Sequence, residues 1–174
     1  MTTGSLSATM ARGVLVAVPD GREGYRMRVP ESRKCSVLIG APLEDVFACV
    51  RNPTNFNQLM PGVTFLDVEV TPDGVGTAYG FETRVAGIPI RGSGEFTEFT
   101  PNLHIHDETS IAMEGSIDWT FEGEGEGVRV TIEHSPGRFW DLPIVGRLLA
   151  DTYQRADREV LRQLKCRLEV GQRD

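Results

Sequence analysis

The C-terminal end of the chain carries the strongest pattern of hydrophobic and polar positions. Between Asp141 and Gly171, apolar residues recur every three or four positions and charged residues fall mostly on the other faces, which is the spacing of an amphipathic helix. Asp141 is a typical N-cap, and Gly171 is a typical stop. The apolar stripe consists of Val145, Leu149, Tyr153, Ala156, Val160, Leu164 and Leu168. Such a helix extends roughly 40 Å, so we expect it to lie along an equally long surface.

Strand patterns dominate the chain before this helix. Alternation from Lys34 to Ile39 predicts a first strand, and two short helical patterns follow, over 42–50 and 56–60. Six further strand patterns then come without a helix between them: 63–71, 76–86, 88–99, 102–112, 115–123 and 127–135. Consecutive strands joined by tight turns form an antiparallel meander. The prediction is an α+β fold, with a seven-stranded antiparallel sheet curved round the long C-terminal helix.

Length, charge and cysteine content narrow the class of protein. The 174 residues suit one domain, which we place at 31–174, after a tail or loose hairpin over 1–30. A formal charge of −7 disfavours nucleic acid or an anionic membrane as partner. Three widely spaced cysteines favour neither disulfides nor a zinc site, so we expect a cytoplasmic protein. The short apolar run Val14 to Val18 cannot span a membrane. The sequence leaves open whether the protein is a monomer or a homodimer.

One face of every strand should look towards the long helix. Period-two alternation assigns mostly aliphatic and aromatic residues to that face, including Leu66, Val68 and Val70 from strand two. Such a cavity suits a small hydrophobic or aromatic ligand held by a few polar groups. The residues predicted to contact it are Phe56, Met60, Tyr79, Phe81, Phe96, Ile105, Asp107, Thr109, Trp119, His134, Trp140, Leu149 and Tyr153.

Three members of this set have alternative interpretations. Asp107 on an apolar face needs a partner, a neutral form or a place near the cavity mouth. His134, just before Ser135-Pro136-Gly137, is either a ligand-facing residue or a half-exposed strand end. Trp140 either closes the cavity entrance or belongs to a hydrophobic staple. The turns near Glu114 and Gly125 predict that Asp107 and His134 lie about 20 Å apart along the strands, which excludes a shared proton.

The opposite face of the sheet carries charged residues. His104 and His106 alternate with Leu103 and Ile105, so they should project outward together with Glu108. An H-x-H pair on one strand face can bind a metal, but with no further ligand in view we favour solvated side chains. We therefore expect neither a metal nor a cofactor. We also predict outward-facing charged side chains at Glu82, Arg84 and Arg91.

The order of elements and several short motifs resemble the helix-grip superfamily of START-like and polyketide cyclase-like domains, over residues 33–170. The motifs are Ala41-Pro42 with Val46-Phe47, Pro61-Gly62-Val63, Gly74-Val75-Gly76-Thr77, Pro101, Gly127-Val128-Arg129-Val130-Thr131, and Leu161 through Leu168. Members of this superfamily include lipid carriers, ligand receptors and aromatase/cyclases, so the resemblance implies the fold and leaves the activity open.

Three functions are compatible with the resemblance. The first is binding of a lipid-like or polyketide-like molecule. The second is a cyclase or dehydratase without a metal, with Tyr79 or Asp107 as general acid or base. The resemblance to aromatase/cyclases implies a cavity with an inward-facing arginine and an inward-facing tyrosine. Tyr79 is present, but Arg91 would point inward only if a bulge occurred at Gly92 or Gly94. The third is an accessory protein resembling the carbon monoxide dehydrogenase accessory or coenzyme Q-binding groups.

Overall fold

The predicted order of elements is confirmed. The computed structural model describes residues 33–85, 87–110, 114–136 and 143–170, the last range without side chains before Tyr153. The elements are β1 (Arg33–Ile39), α1 (Leu43–Val50), a 3₁₀ turn (Pro53–Asn55), α2 (Phe56–Leu59), β2 (Val63–Glu69), β3 (Ala78–Val85), β4 (Ile88–Thr100), β5 (His104–Ser110), β6 (Glu114–Glu124), β7 (Gly127–Pro136) and α3 (Pro143–Val170). The expected N-terminal tail or hairpin, Trp140 and the side chain of Leu149 lie outside the described residues.

All seven strands form one antiparallel sheet. The strand order is β1-β7-β6-β5-β4-β3-β2, which is a meander from β2 to β7 with β1 added at the far edge. Helix α3 contacts β1, α1 and α2, so it covers the same face of the sheet as the short helices. The predicted seven-stranded helix-grip fold is therefore correct.

The core lies between this face of the sheet and the helices. Alternation along each strand sends apolar side chains inward, and α1, α2 and α3 cover them with their own apolar residues. The largest fully buried side chains are Trp119, Phe56, Phe96, Phe121, Ile39, Leu59, Ile105, Ile132 and Leu164. Burial of this aromatic-rich set is the main favourable contribution to folding.

The prediction for strand two was wrong at two of its three positions. Phe65 pairs with Phe81 and is buried, whereas Leu66 and Val70 are 38% and 45% exposed. Only Val68 packs against the core. For Leu66 the reason is an irregularity between Leu66 and Glu69, where Asp67 has a φ of +49°, whereas Val70 lies beyond the end of the strand at Glu69. A bulge of this kind changes which residues face inward, and alternation alone does not reveal it.

Helix α3 also differs from its predicted face. Val160, Leu161 and Leu164 are buried as expected, but Ala156 is exposed and Asp157 is buried. The centre of the buried stripe is therefore shifted by one residue at this point. In the part of the chain that the structure describes, none of the helices is long and apolar enough to cross a membrane.

Candidate ligand-binding site

Tyr79 and Asp107 form a buried polar pair on the inner face of the sheet. Tyr79 on β3 pairs with Gly94 on β4, and Gly94 pairs with Thr109 on β5, two residues beyond Asp107. The tyrosine ring lies over Gly94, where an added Cβ would come within 2.3 Å of the ring. The phenol can therefore cross β4 and donate a hydrogen bond to Asp107 Oδ2, with an O···O distance of 2.5 Å. The glycine makes this contact between non-adjacent strands possible.

Burial governs the charge state of this pair. Asp107 is 1% exposed, and burial raises the pKa of its carboxyl from 3.8 to about 7, even though the Tyr79 hydrogen bond favours the ionised form. Burial, together with the neighbouring carboxyl of Asp107, raises the pKa of Tyr79 well above its ordinary value. Asp107 can therefore gain or lose a proton near neutral pH, while Tyr79 stays protonated.

Two buried polar atoms in this region have no hydrogen-bond partner among the described residues. They are Asp107 Oδ1 and Trp119 Nε1. Both side chains come from neighbouring strands, since Trp119 pairs with Ile105, two residues before Asp107. An unpaired buried donor or acceptor costs roughly 1–3 kcal/mol, and such atoms require an explanation. One explanation is a bound molecule that supplies the missing partners.

Aromatic rings surround the polar pair. Phe56 from α2 packs edge-on against Tyr79 and stacks on Trp119, with ring centroids 6.1 and 6.0 Å apart. Phe65 packs beside Tyr79, at 5.4 Å between centroids. The inward orientation predicted for Phe81, Phe96 and Ile105 is confirmed, since all three are buried next to this group. Met60 is partly buried against the core. The sequence did not single out Phe65, because the bulge in β2 hides its inward orientation.

A second polar group connects the sheet to α3. His134 faces inward as predicted, and its Nε2 lies 2.8 Å from Asp157 Oδ1. The ring of Tyr153 packs against His134, with 5.4 Å between centroids. Asp157 was missed because it was assigned to the charged side of the helix. Its spacing of four from Tyr153 and three from Val160 already placed it on the apolar stripe.

The predicted register between Asp107 and His134 was wrong. Both residues pair with Ile117 on the intervening strand β6, so they lie level and are separated by two strand spacings, about 10 Å. The β5–β6 register pairs Ser110 with Glu114, so its midpoint lies two positions before that of the predicted register. Moving a hairpin turn by two residues moves the pairing by four, and the β6–β7 register, which places Ile117 rather than Gly115 opposite His134, accounts for the other two. The two residues do not share a proton, because Asp107 bonds to Tyr79 and His134 bonds to Asp157.

Of the remaining predicted contacts, Thr109 has a described side chain, whereas Trp140 and the side chain of Leu149 lie outside the described residues. Thr109 is half-buried, and its hydroxyl donates to the carbonyl of Gly115, 3.3 Å away. Trp140 and Leu149 stay predictions. Arg91 does not enter the site: the β3–β4 register runs without a bulge from Ala78 to Val85, and Arg91 forms an exposed ion pair with Glu82. An inward arginine at this position is therefore ruled out.

The outer face carries the two remaining histidines, as predicted. Both bond to Asp118 rather than to Glu108. The hydrogen bond to Asp118 raises the pKa of His106. Partial burial alone would raise the pKa of Asp118, but the bonds from His106 and His104 lower it below its ordinary value. An open groove of about 810 Å³ lies beside them, and its lining includes Asp67, Ser93, Glu95, His106, Glu108 and Ser116 together with Tyr79, Gly94 and Thr109.

The seven-stranded antiparallel sheet, the two short helices after β1 and the long C-terminal helix define a helix-grip protein. A family model described as "Polyketide cyclase / dehydrase and lipid transport" matches residues 33–169. The chain belongs to this family, and membership supports a ligand-binding or cyclase role for it. Among curated protein sequences, none matches this chain.

Solved structures share the fold at low sequence identity. Protein CV1439 from Chromobacterium violaceum is 19% identical, with a TM-score of 0.61 over 80% of this chain and 99% of its own. A protein from Arthrobacter aurescens is 16% identical, with a TM-score of 0.65 over 84% and 90% of the two chains. The di-domain ARO/CYC StfQ from the steffimycin biosynthetic pathway is 15% identical, with a TM-score of 0.69 over 82% of this chain and 52% of StfQ.

Proposed function

We propose that this protein binds a small, mainly apolar or aromatic molecule on the inner face of the sheet, with Asp107 and Trp119 as polar anchors. The observation that carries the proposal is the pair of buried atoms without partners, Asp107 Oδ1 and Trp119 Nε1. A ligand that offers a donor to the carboxylate and an acceptor to the indole N–H would satisfy both. A hydroxyl group has both capacities.

The surrounding side chains support an aromatic or polycyclic ligand body. Phe56, Tyr79, Phe81 and Trp119 present ring faces and edges near the anchors, and such surfaces favour offset stacking and edge contacts with another ring. Small-molecule pockets are usually lined by apolar and aromatic side chains with few polar groups, which is the composition of the side chains around Asp107 and Trp119.

A second candidate function is acid–base catalysis of cyclisation or dehydration on a polyketide-like substrate. The short Tyr79–Asp107 hydrogen bond favours it, because a buried carboxyl coupled to a phenol can hold and release a proton. In this case Asp107 is the general acid or base and Tyr79 its hydrogen-bond donor. The di-domain ARO/CYC StfQ shares the fold.

Two probes that differ by one hydroxyl test the binding proposal. We expect 2-naphthol to bind the native chain about tenfold more tightly than naphthalene, because only the phenol can pair with the buried carboxyl. Asp107→Leu should remove this difference while it leaves naphthalene binding. Equal affinities for both probes in the native chain, or binding of neither, would contradict the proposal.

Native mass spectrometry of freshly purified protein can identify a co-purifying ligand by its mass. An apolar molecule should co-purify with the native chain and with Leu103→Trp, a control at a position that is 52% exposed. Phe81→Trp should lose it, because the larger ring fills the inner face. An enzyme would lose turnover of the identified compound in Tyr79→Phe and keep its affinity, whereas a carrier shows no turnover in either form.

A further inference from the structure

Two histidines and one aspartate meet on the outer face of the sheet, opposite α3. His104 and His106 project from the same side of β5, and His106 pairs with Asp118 on β6. His104 Nε2 and His106 Nδ1 lie 2.9 and 2.7 Å from the same atom, Asp118 Oδ1. We propose that His104, His106 and Asp118 form a binding site for a divalent transition-metal ion such as Zn²⁺.

The distances between the ligand atoms suit such an ion. One nitrogen from each histidine and one oxygen of Asp118 all lie within 4.8 Å of one another. Zinc–nitrogen and zinc–oxygen bonds of about 2.0–2.2 Å in a tetrahedron separate neighbouring ligand atoms by roughly 3.3 Å. The two N···O distances, 2.9 and 2.7 Å, are about 0.5 Å shorter than this value, so small rotations of the rings would admit the ion between them.

The strands hold these ligands in place and leave them accessible. β5 and β6 are interior strands of the sheet, and ligands on paired strands are more precisely positioned than ligands on loops. The side chains of His104, His106 and Asp118 are 27%, 23% and 27% exposed. An ion can therefore enter from solvent without a change in the fold.

The surrounding charges favour a cation over an anion. Glu98 is the register neighbour of His106 on β4, and Glu108 is the next residue on the same face of β5. Both carboxylates act on His106 electrostatically. Imidazole nitrogens favour Zn²⁺, Co²⁺, Ni²⁺ or Cu²⁺, whereas Mg²⁺ and Ca²⁺ prefer sites built of oxygen atoms.

Three protein ligands leave at least one coordination position for water or another molecule. His106 and Glu108 both line the open groove beside the cluster, so that position is reachable from solvent. The expectation of a solvated histidine pair assumed no third ligand, and the structure supplies Asp118 from the neighbouring strand. This site lies on the opposite face from Asp107, and its occupancy does not depend on the proposed ligand-binding function.

Titration calorimetry on the full chain, prepared without a histidine tag, tests the proposal with ZnCl₂ and CoCl₂. We expect one ion per chain, and affinity weakened at least about tenfold by His104→Gln, His106→Gln or Asp118→Asn. MgCl₂ and CaCl₂ should give no measurable binding. The measurements should use a Cys166→Ser background, because Cys166 is an exposed thiol that can also bind zinc.

A matched control separates this site from diffuse binding. Glu122→Gln removes an exposed carboxylate from the outer face of β6, four residues beyond Asp118, and should change affinity less than about threefold. In the native chain, zinc should shift the ring NMR signals of His104 and His106 and leave those of His134 unchanged. The absence of stoichiometric binding, or undiminished affinity in the His104→Gln/His106→Gln double variant, would overturn the proposal.

Discussion

The phenol of Tyr79 reaches Asp107 across an intervening strand because residue 94 is a glycine. The hydrogen bond is 2.5 Å long, and its two partners are on β3 and β5. A side chain on β4 would occupy the space that the tyrosine ring now fills. The same pairing of an aromatic residue with a facing glycine recurs two residues further along β3, where Phe81 lies over Gly92. Among the described strands, Tyr79 and Asp107 are the only two buried polar side chains that bond to each other, because Asp157, the partner of His134, lies on α3.

Gly94→Ala should displace the tyrosine ring and break the bond to Asp107. The added Cβ would lie 2.3 Å from Tyr79 Cζ and 2.4 Å from its hydroxyl oxygen, so the ring must move. We expect a loss of about 1–3 kcal/mol in the free energy of unfolding, measured by urea denaturation.

Gly123→Ala is the matched control for this substitution. Gly123 lies on β6, and an added Cβ would meet no atom within 4 Å. Its effect on the free energy of unfolding should stay within about 0.5 kcal/mol. A loss at Gly94 no greater than that at Gly123 would show that the ring contact contributes nothing.

Tyr79→Phe should destabilise the protein by about 1–3 kcal/mol, because it removes the side-chain hydrogen bond of a buried carboxyl. Removal of the hydrogen bond should also raise the pKa of Asp107 further, since the bond favours the ionised form. A double-mutant cycle with Asp107→Leu isolates the interaction. If the two losses add without a coupling energy, the hydrogen bond is not a significant interaction.

Asp107 should make folding stability depend on pH. Its pKa is about 7 in the folded chain against an ordinary 3.8, so between these values the folded state holds a proton that the unfolded state has lost. The contribution is fully present below about pH 3.8 and is lost as the pH rises through 7.

The corresponding slope is at most about 1.4 kcal/mol for each pH unit. Other groups titrate in the same range, so the informative quantity is the difference between the native chain and Asp107→Asn, measured by denaturation in EDTA. The native chain should lose more stability than Asp107→Asn as the pH rises. Parallel curves for the two proteins would mean that Asp107 does not titrate in this range.

The His134–Asp157 contact should stabilise the packing of α3 against the sheet. Both side chains are largely buried, at 17% and 8% exposure. Asp157→Ala leaves the imidazole without this partner and should cost about 1–3 kcal/mol. Amide hydrogen exchange in α3 should accelerate as well. Arg155→Ala, an exposed position on the same helix, should change stability by less than about 0.5 kcal/mol and leave exchange unaltered.

Periodicity in the sequence determined the order of the elements and most residue faces. Tyr79, Asp107, Trp119 and His134 were correctly assigned to the inner face, and His104 and His106 to the outer face. These assignments succeed because the two-residue repeat of a strand and the 3.6-residue repeat of a helix are local properties of the backbone. Strand two shows the limit of the method, since one bulge at Asp67 was enough to expose Leu66 and bury Phe65.

Partnerships between strands were decided only by the tertiary structure. The sequence contained no local signal that Tyr79 bonds to Asp107, that Asp118 joins His104 and His106, or that Asp107 and His134 lie level across Ile117. Each of these contacts depends on strand register, which is set by where the turns close and by how side chains pack against distant residues. Alternation determines the direction in which a side chain points, whereas the register determines which side chain it meets.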